Sequence, residues 1–306
     1  MQAQGWELRM NSQEEAFRRQ SDRSVDNLRS LYAVVFGLSF GLVFTGAYDK
    51  VHSGLVGLSF DPARFALHAL VTFSFVVTLS LFHYQTDRYL DVIYRRNGLV
   101  EVRPPLFLLD LVRGLLAMAP IFLMAQALSA EAFEQVGFTW FVLAGSLFLL
   151  ANTLFLSWPS GSRPGASPET ADPQADAIDA VRVFWLLLNS ASMVVLFGLY
   201  TVFRSAGEVC PARGEAGLQP GFVALFCLVL LARDMIDISQ SWSVLHPATA
   251  GPKPTPPGRL LSWLSLPARR RRIRTVALTL AIVTVVLAGQ AGLLDILAVT
   301  RHCMTR

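Results

Sequence analysis

Long, predominantly apolar runs constrain this chain more than any other feature. They cover 31–48, 66–84, 104–127, 138–157, 181–203, 221–240 and 275–294. A bilayer core about 30 Å thick needs roughly 20 apolar residues of helix to cross it. Hydrocarbon tolerates only a backbone that hydrogen-bonds to itself, so such runs read as helices. The fold class expected is therefore all-α: a polytopic membrane protein with about seven transmembrane helices. Composition agrees, because 53% hydrophobic residues and a mean hydropathy of +0.46 exceed the level of soluble domains, about 45 to 50%. The first run follows a polar segment that mixes Glu14, Glu15, Asp22 and Asp26 with arginines, and no small-residue cleavage site follows it. It reads as an uncleaved anchor.

Orientation follows from where the basic residues fall. With the N-terminus inside, Lys and Arg favour the cytoplasmic connections over the external ones by about three to one. An odd number of crossings then leaves the C-terminus periplasmic or extracellular. All but two of the 26 basic residues are arginine, and the Arg- and Ala-rich composition is that of a GC-rich bacterial gene. The expected location is a bacterial inner membrane.

Four segments organise the chain: a cytoplasmic N-terminal stretch over 1–30, a four-helix half over 31–157, a linker over 158–180, and a three-helix half over 181–306. The linker is rich in Pro, Ser, Gly and acids from Pro159 to Asp179, too polar to bury and too broken by proline to be expected as helix. A basic interfacial segment lies near 259–274, where Leu260, Leu261, Trp263, Leu264 and Leu266 suit the headgroup boundary. The halves match faintly at one common offset. Asp26, Arg29, Tyr32 and Phe44 correspond to Asp179, Arg182, Trp185 and Phe197, which implies a 4+3 parallel pseudo-repeat. Juxtamembrane Arg and aromatic residues are common at any helix start, so chance matches rival that reading.

Charges within the apolar runs are the first candidates for chemistry, because isolated charges in hydrocarbon are costly and must face protein or water. Asp110 and Arg113 lie at i, i+3 in the third run, and Arg233, Asp234 and Asp237 lie in the sixth. Together they are a candidate polar membrane lining; the competing reading is a set of ion pairs that hold helices in register. His83, Asp87 and Asp91 share one face at the cytoplasmic end of the second helix, beside Tyr84 and Arg88. They suit a proton relay or a weak metal site, or simply a solvated helix end. No second His stands at ligand spacing, and no metal or other cofactor is expected.

Neutral polar residues serve packing first. Asn189, Ser190 and Ser192 in the fifth run, and Ser74, Thr78 and Ser80 in the second, are of the kind that bond neighbouring helices. Gly37, Ser39 and Gly41 give the first helix a small-residue face with GxxxG spacing, suited to contact within one chain or between chains. Of three cysteines, Cys227 lies inside the sixth run, whereas Cys210 and Cys303 fall on the external side and can pair as a disulfide. Arg269, Arg270, Arg271 and Arg272, with Arg274, are expected to contact anionic lipid, each charge adding about 1 kcal/mol near that surface.

The chain contains no GxxxxGK[ST], HExxH, CxxC or GxSxG motif, and no soluble segment large enough for a nucleotide-binding unit. A non-enzyme is expected. The basic run lacks aromatic platforms, so membrane lipids and other membrane subunits, in a homo-oligomer or a larger complex, are expected partners, and nucleic acid is not. The first helix superficially resembles that of the bacterial relatives of the lysosomal potassium channel, which carry Arg followed by Phe-Ser-Asp. Here Arg29 is followed by Ser-Leu-Tyr-Ala-Val-Val and then Phe36-Gly37-Leu38, without the acid, so no membership is assigned. The leading functional expectation is a conduction path for ions or small solutes. An accessory subunit of a membrane complex and a membrane-perturbing defence effector are the alternatives.

Overall fold

A computed structural model describes residues 19, 22, 23, 25–48, 61–91, 104–129, 137–157, 173–206, 218–245, 259–264 and 266–291. Every described element is helical: α1 Val25–Tyr48, α2 Pro62–Asp91, α3 Pro104–Ser129, α4 Gly137–Ser157, α5 Pro173–Ser205, α6 Pro220–Leu245, α7 Arg259–Leu264 and α8 Pro267–Gln290. Five are long and apolar enough to cross a membrane by length and composition: α1, α2, α4, α5 and α8. In α3 the apolar stretch described is the shorter Gly114–Ser129, and α6 carries three charges among its apolar residues.

The seven long helices described alternate in direction. At one end Arg29 of α1 pairs with Asp87 of α2, and Asp179 near the start of α5 pairs with Arg270 and Arg274 near the start of α8. At the other, Gly46 of α1 meets Ser129 of α3, His68 of α2 stacks near Phe138 of α4, and Phe203 of α5 packs on Phe222 of α6. Helices α4, α5 and α6 are central; α5 touches α4, α6, α7 and α8, while α2 packs along α6.

The bundle turns apolar residues outward and polar ones inward. Leu38, Phe44, Phe73, Leu116, Val202 and Ile282 are exposed, whereas Thr78, Asn189, Arg233, Asp234, Asp237 and Ser241 are buried. Water would penalise that outer surface; lipid favours it, since hydrocarbon matches the exposed side chains. With the apolar helices, this makes the chain a membrane protein. Between the ends, Phe75, Phe141, Phe148, Phe226, Leu79 and Leu230 form a dense apolar core.

Several boundaries differ from the hydropathy reading; α1 begins at Val25 and α6 runs to Leu245, each past its apolar run. Helix α5 begins at Pro173, inside the segment assigned to the linker, because Pro suits the first helical position and Ala175, Ala177 and Ala180 favour helix. Helix α8 begins at Pro267 and ends at Gln290, so the arginine run forms its opening turns instead of preceding a span at 275. Arginine is a good helix former, and hydropathy registers lipid burial, not helicity. Helix α2 likewise runs on to Asp91, beyond the apolar residues.

Small residues mark close approach, but not where the GxxxG spacing points. A Cβ on Gly37 or Gly41 meets nothing within 4 Å among the described residues. One on Gly46 would lie 2.7 Å from the Ser129 Cα, a backbone atom of α3 that moves only with its helix. Gly46→Ala is therefore expected to lower the melting temperature in detergent, through overpacking of about 1 to 3 kcal/mol. Gly41→Ala should leave it unchanged or raise it, through better helix propensity of up to about 1 kcal/mol. Equal responses of the two variants would contradict the α1–α3 contact.

Candidate functional site

Helix α6 supplies the charges, and its spacing explains their placement. Arg233, Asp237 and Ser241 recur at four-residue intervals and share one face, with Asp234 turned toward α2. All four are buried; Asp234 and Asp237 have no exposure. Such charges persist only if partners replace the water they lose.

The partners come from three helices. Arg233 donates from Nη1 to Asp234 Oδ1 at 2.5 Å and from Nε to Asn189 Oδ1 on α5 at 3.1 Å. Its Nη2 lies 4.0 Å from Asp237 Oδ2. Thr78 of α2 donates to Asp234 Oδ2 at 2.6 Å. Trp185 of α5 donates from Nε1 to Asp237 Oδ1 at 2.7 Å, and Ser241 donates to the same oxygen at 2.9 Å. The guanidinium also sits 5.9 Å from the Phe148 ring of α4. One arginine and two carboxylates thus lock α2, α5 and α6 at a single depth.

Above this network, toward the end where α5 begins, lies a cavity of about 140 Å³. That volume has room for a small solute with some of its water. Its polar lining includes Tyr32, Gln85, Asn152, Arg182, Asn189 and Arg233. Arg182, Trp185 and Asn189 follow one another at three- and four-residue spacing, so α5 turns one stripe into the cavity and the network alike. Gly114 of α3 makes room for Tyr32, since a Cβ there would overlap its hydroxyl. Among the described residues, the buried atoms without a hydrogen bond include Asn189 Nδ2 and Asp237 Oδ2. A buried donor left unsatisfied costs about 1 to 3 kcal/mol.

The sequence candidates divide. Arg233, Asp234 and Asp237 come together as the network. Asp110 and Arg113 lie on the described backbone of α3, but their side chains fall outside the described residues, as does that of Asp91. His83 and Asp87 face α1 and not each other's ligands: His83 stacks on Phe36 with ring centroids 4.4 Å apart, and Arg29 clamps Asp87 at 2.5 and 2.9 Å. Arg88 lies 5.7 Å over the Tyr84 ring. No group of three or more metal-ligating side chains occurs among the described residues.

Cys227 is a free, buried thiol, and Cys210 and Cys303 lie outside the described residues. In the basic run Arg270 is buried and, with Arg274, holds Asp179 at 3.2 and 2.9 Å, while Arg269 lies 5.1 Å over Trp263. Arg271 and Arg272 are exposed.

Sequence reading missed Trp185 as a network partner, Gln85 of α2, which donates from Nε2 to Ser241 Oγ at 3.4 Å, and Arg182 as cavity lining. The signal available was the polar stripe on α5, visible as spacing but not assignable to a neighbour. Comparison with protein families, with curated proteins and with solved structures returns no match to this chain.

Trp185→Phe keeps the ring and deletes the Nε1 donor. It is expected to cost about 1.5 to 3 kcal/mol, the range for a hydrogen bond to a charged group. Trp263→Phe, at an exposed ring, should be near neutral. Asp234→Ala should cost more, about 3 to 5 kcal/mol, because it strips a buried guanidinium of its closest carboxylate. Thermal unfolding in detergent measures all three; an Asp234→Ala protein as stable as the parent would contradict the network.

Proposed function

We propose that the chain is a non-catalytic, seven-span protein of a bacterial inner membrane, with a cytoplasmic N-terminus, and that it forms or contributes to a conduction path for ions or small solutes. The observation that carries this reading is the cavity: a polar hollow set among helices whose outer faces suit lipid, with buried guanidinium groups on its wall. In membranes such groups default to ion or substrate pathways, because hydrocarbon would otherwise exclude them. On the opposite side of the network the aromatic core of Phe75, Phe141, Phe148 and Phe226 closes the bundle. The cavity therefore corresponds to the cytoplasmic half of a path that is shut on its far side. The alternating directions of the helices support seven crossings, since each connection then lies outside the bilayer.

A parallel 4+3 arrangement gains support from α2 and α6, the helices it would equate. They are neighbours, and Ser74 Oγ lies 3.4 Å from the Cys227 carbonyl at a separation of 153 residues, the same as in the four matched pairs. A second reading, an accessory subunit or homo-oligomer, draws on the open space around Gly37 and Gly41, which leaves the outer face of α1 ready for another helix.

Proteoliposomes of the full chain test the path. They should pass small ions faster than protein-free vesicles, and Ala117→Phe, which fills the cavity from α3, should reduce the flux at least tenfold while the protein still folds by its melting curve. Vesicles no leakier than the protein-free control would overturn the path and leave the subunit reading.

A further inference from the structure

Helix α8 sorts its arginines by face. Arg270 belongs to the stripe that continues through Ala277, Ala281, Thr284 and Ala288, all buried, and its guanidinium is committed to Asp179 at 3.2 Å. Arg269 and Arg272 belong to another stripe. Three- and four-residue steps carry it on through Val276, Leu280, Val283 and Leu287, each 40 to 54% exposed. Both arginines are exposed, and among the described residues no carboxylate pairs with either of them or with Arg271. Residues 259–275 hold six arginines and no acid, so the surface here carries uncompensated positive charge.

Depth agrees with this sorting. Arg272 lies four residues before Val276, about 6 Å of helix, and the headgroup layer on each side of a bilayer is about 5 to 7 Å thick. Beside it, Leu261 and Leu264 of α7 are buried in one cluster with Val181 and Phe184, where the apolar run of α5 begins. Trp263 is exposed, with the Arg269 guanidinium 5.1 Å over its ring. An indole in that position suits the boundary between hydrocarbon and water.

We infer that this stripe is a binding site for an anionic phospholipid of the phosphatidylglycerol class, with its phosphate between Arg269 and Arg272 and an acyl chain along Val276, Leu280 and Val283. Charge complementarity selects the headgroup, and the planar donors of guanidinium match phosphate oxygens. The stripe itself selects lipid over an acidic protein segment, because its charged end passes without a break into side chains that suit hydrocarbon. The structure thereby separates two roles within one arginine run: Arg270 and Arg274 clasp α5, and Arg269 and Arg272 face the leaflet. The inference requires only that the bundle sit in a bilayer; it stands or falls independently of the path proposed above.

The test is native mass spectrometry of the full chain released from nanodiscs of equal parts phosphatidylcholine and phosphatidylglycerol. Lipid retained by the parent should be enriched at least threefold in phosphatidylglycerol. The double variant Arg269→Gln/Arg272→Gln should lose most of that enrichment while its melting temperature in phosphatidylcholine holds, since neither side chain has a carboxylate partner to lose. Arg64→Gln, at an exposed arginine of the opposite end, should keep it. Arg269→Lys/Arg272→Lys should recover at least half of it. No enrichment in the parent, or a double glutamine variant that keeps the enrichment, overturns the inference; polyglutamate binding that this variant loses while its lipid preference stays would assign the surface to an acidic protein instead. A lysine variant as poor as the glutamine one would trace the loss to altered folding and overturn it as well.

Discussion

A carboxylate buried among packed helices has no water to turn to, and that single fact governs the arrangement of this bundle. Asp234 and Asp237 are wholly buried on a helix whose first half is apolar. The chain itself must supply what solvation would have given: a guanidinium from the same helix, a hydroxyl from α2, an indole from α5. Each partner fixes the rotation and the depth of its helix. Apolar packing alone is permissive, because one leucine slides past another at little cost, whereas a 2.6 or 2.7 Å hydrogen bond to a charged oxygen has one register.

Several other features follow from that locked triplet. Held by α5, the stripe of Arg182, Trp185 and Asn189 cannot also pack flat against α2, and the gap between them is the cavity. Helix α1 closes the side of it by setting Tyr32 into the space left by Gly114. At the same end the Arg29–Asp87 pair fastens α1 to α2, and Asp179 with Arg270 and Arg274 fastens α5 to α8. Charges at the helix ends thus join neighbours in pairs, while the charges at depth join three helices and border a hollow. Burial decides the difference in strength, since exposed ion pairs contribute little and buried ones break at high cost.

Much of this fold was legible because hydropathy reports what a bilayer demands. Each apolar run coincides with a described helix, and the outward-facing leucines and phenylalanines follow from the same pattern. The ends were less legible. Polar extensions such as Pro173 to Asp179 and the arginine turns of α8 are helical without being apolar, so a measure of lipid affinity passes over them. Within the site, Arg233, Asp234 and Asp237 stood out because charge in an apolar run is costly. Their partners did not, for a tryptophan on α5 is an ordinary membrane residue until tertiary packing sets it beside Asp237. Glycine spacing misled for a similar reason. Gly37 and Gly41 carry the familiar interval, but contacts that a Cβ would crowd are at Gly46, Gly114 and Gly145, which belong to no such motif.

The proposed path requires that the hollow be open to water from the cytoplasmic end of the bundle, and thiol accessibility measures that directly. In a chain with Cys210, Cys227 and Cys303 changed to serine, Asn152→Cys places one thiol on the cavity wall. A membrane-impermeant thiol reagent should label it in inside-out vesicles and spare it in right-side-out vesicles. Labelling only from the external face, or from neither face, would contradict the cavity, its orientation, or both.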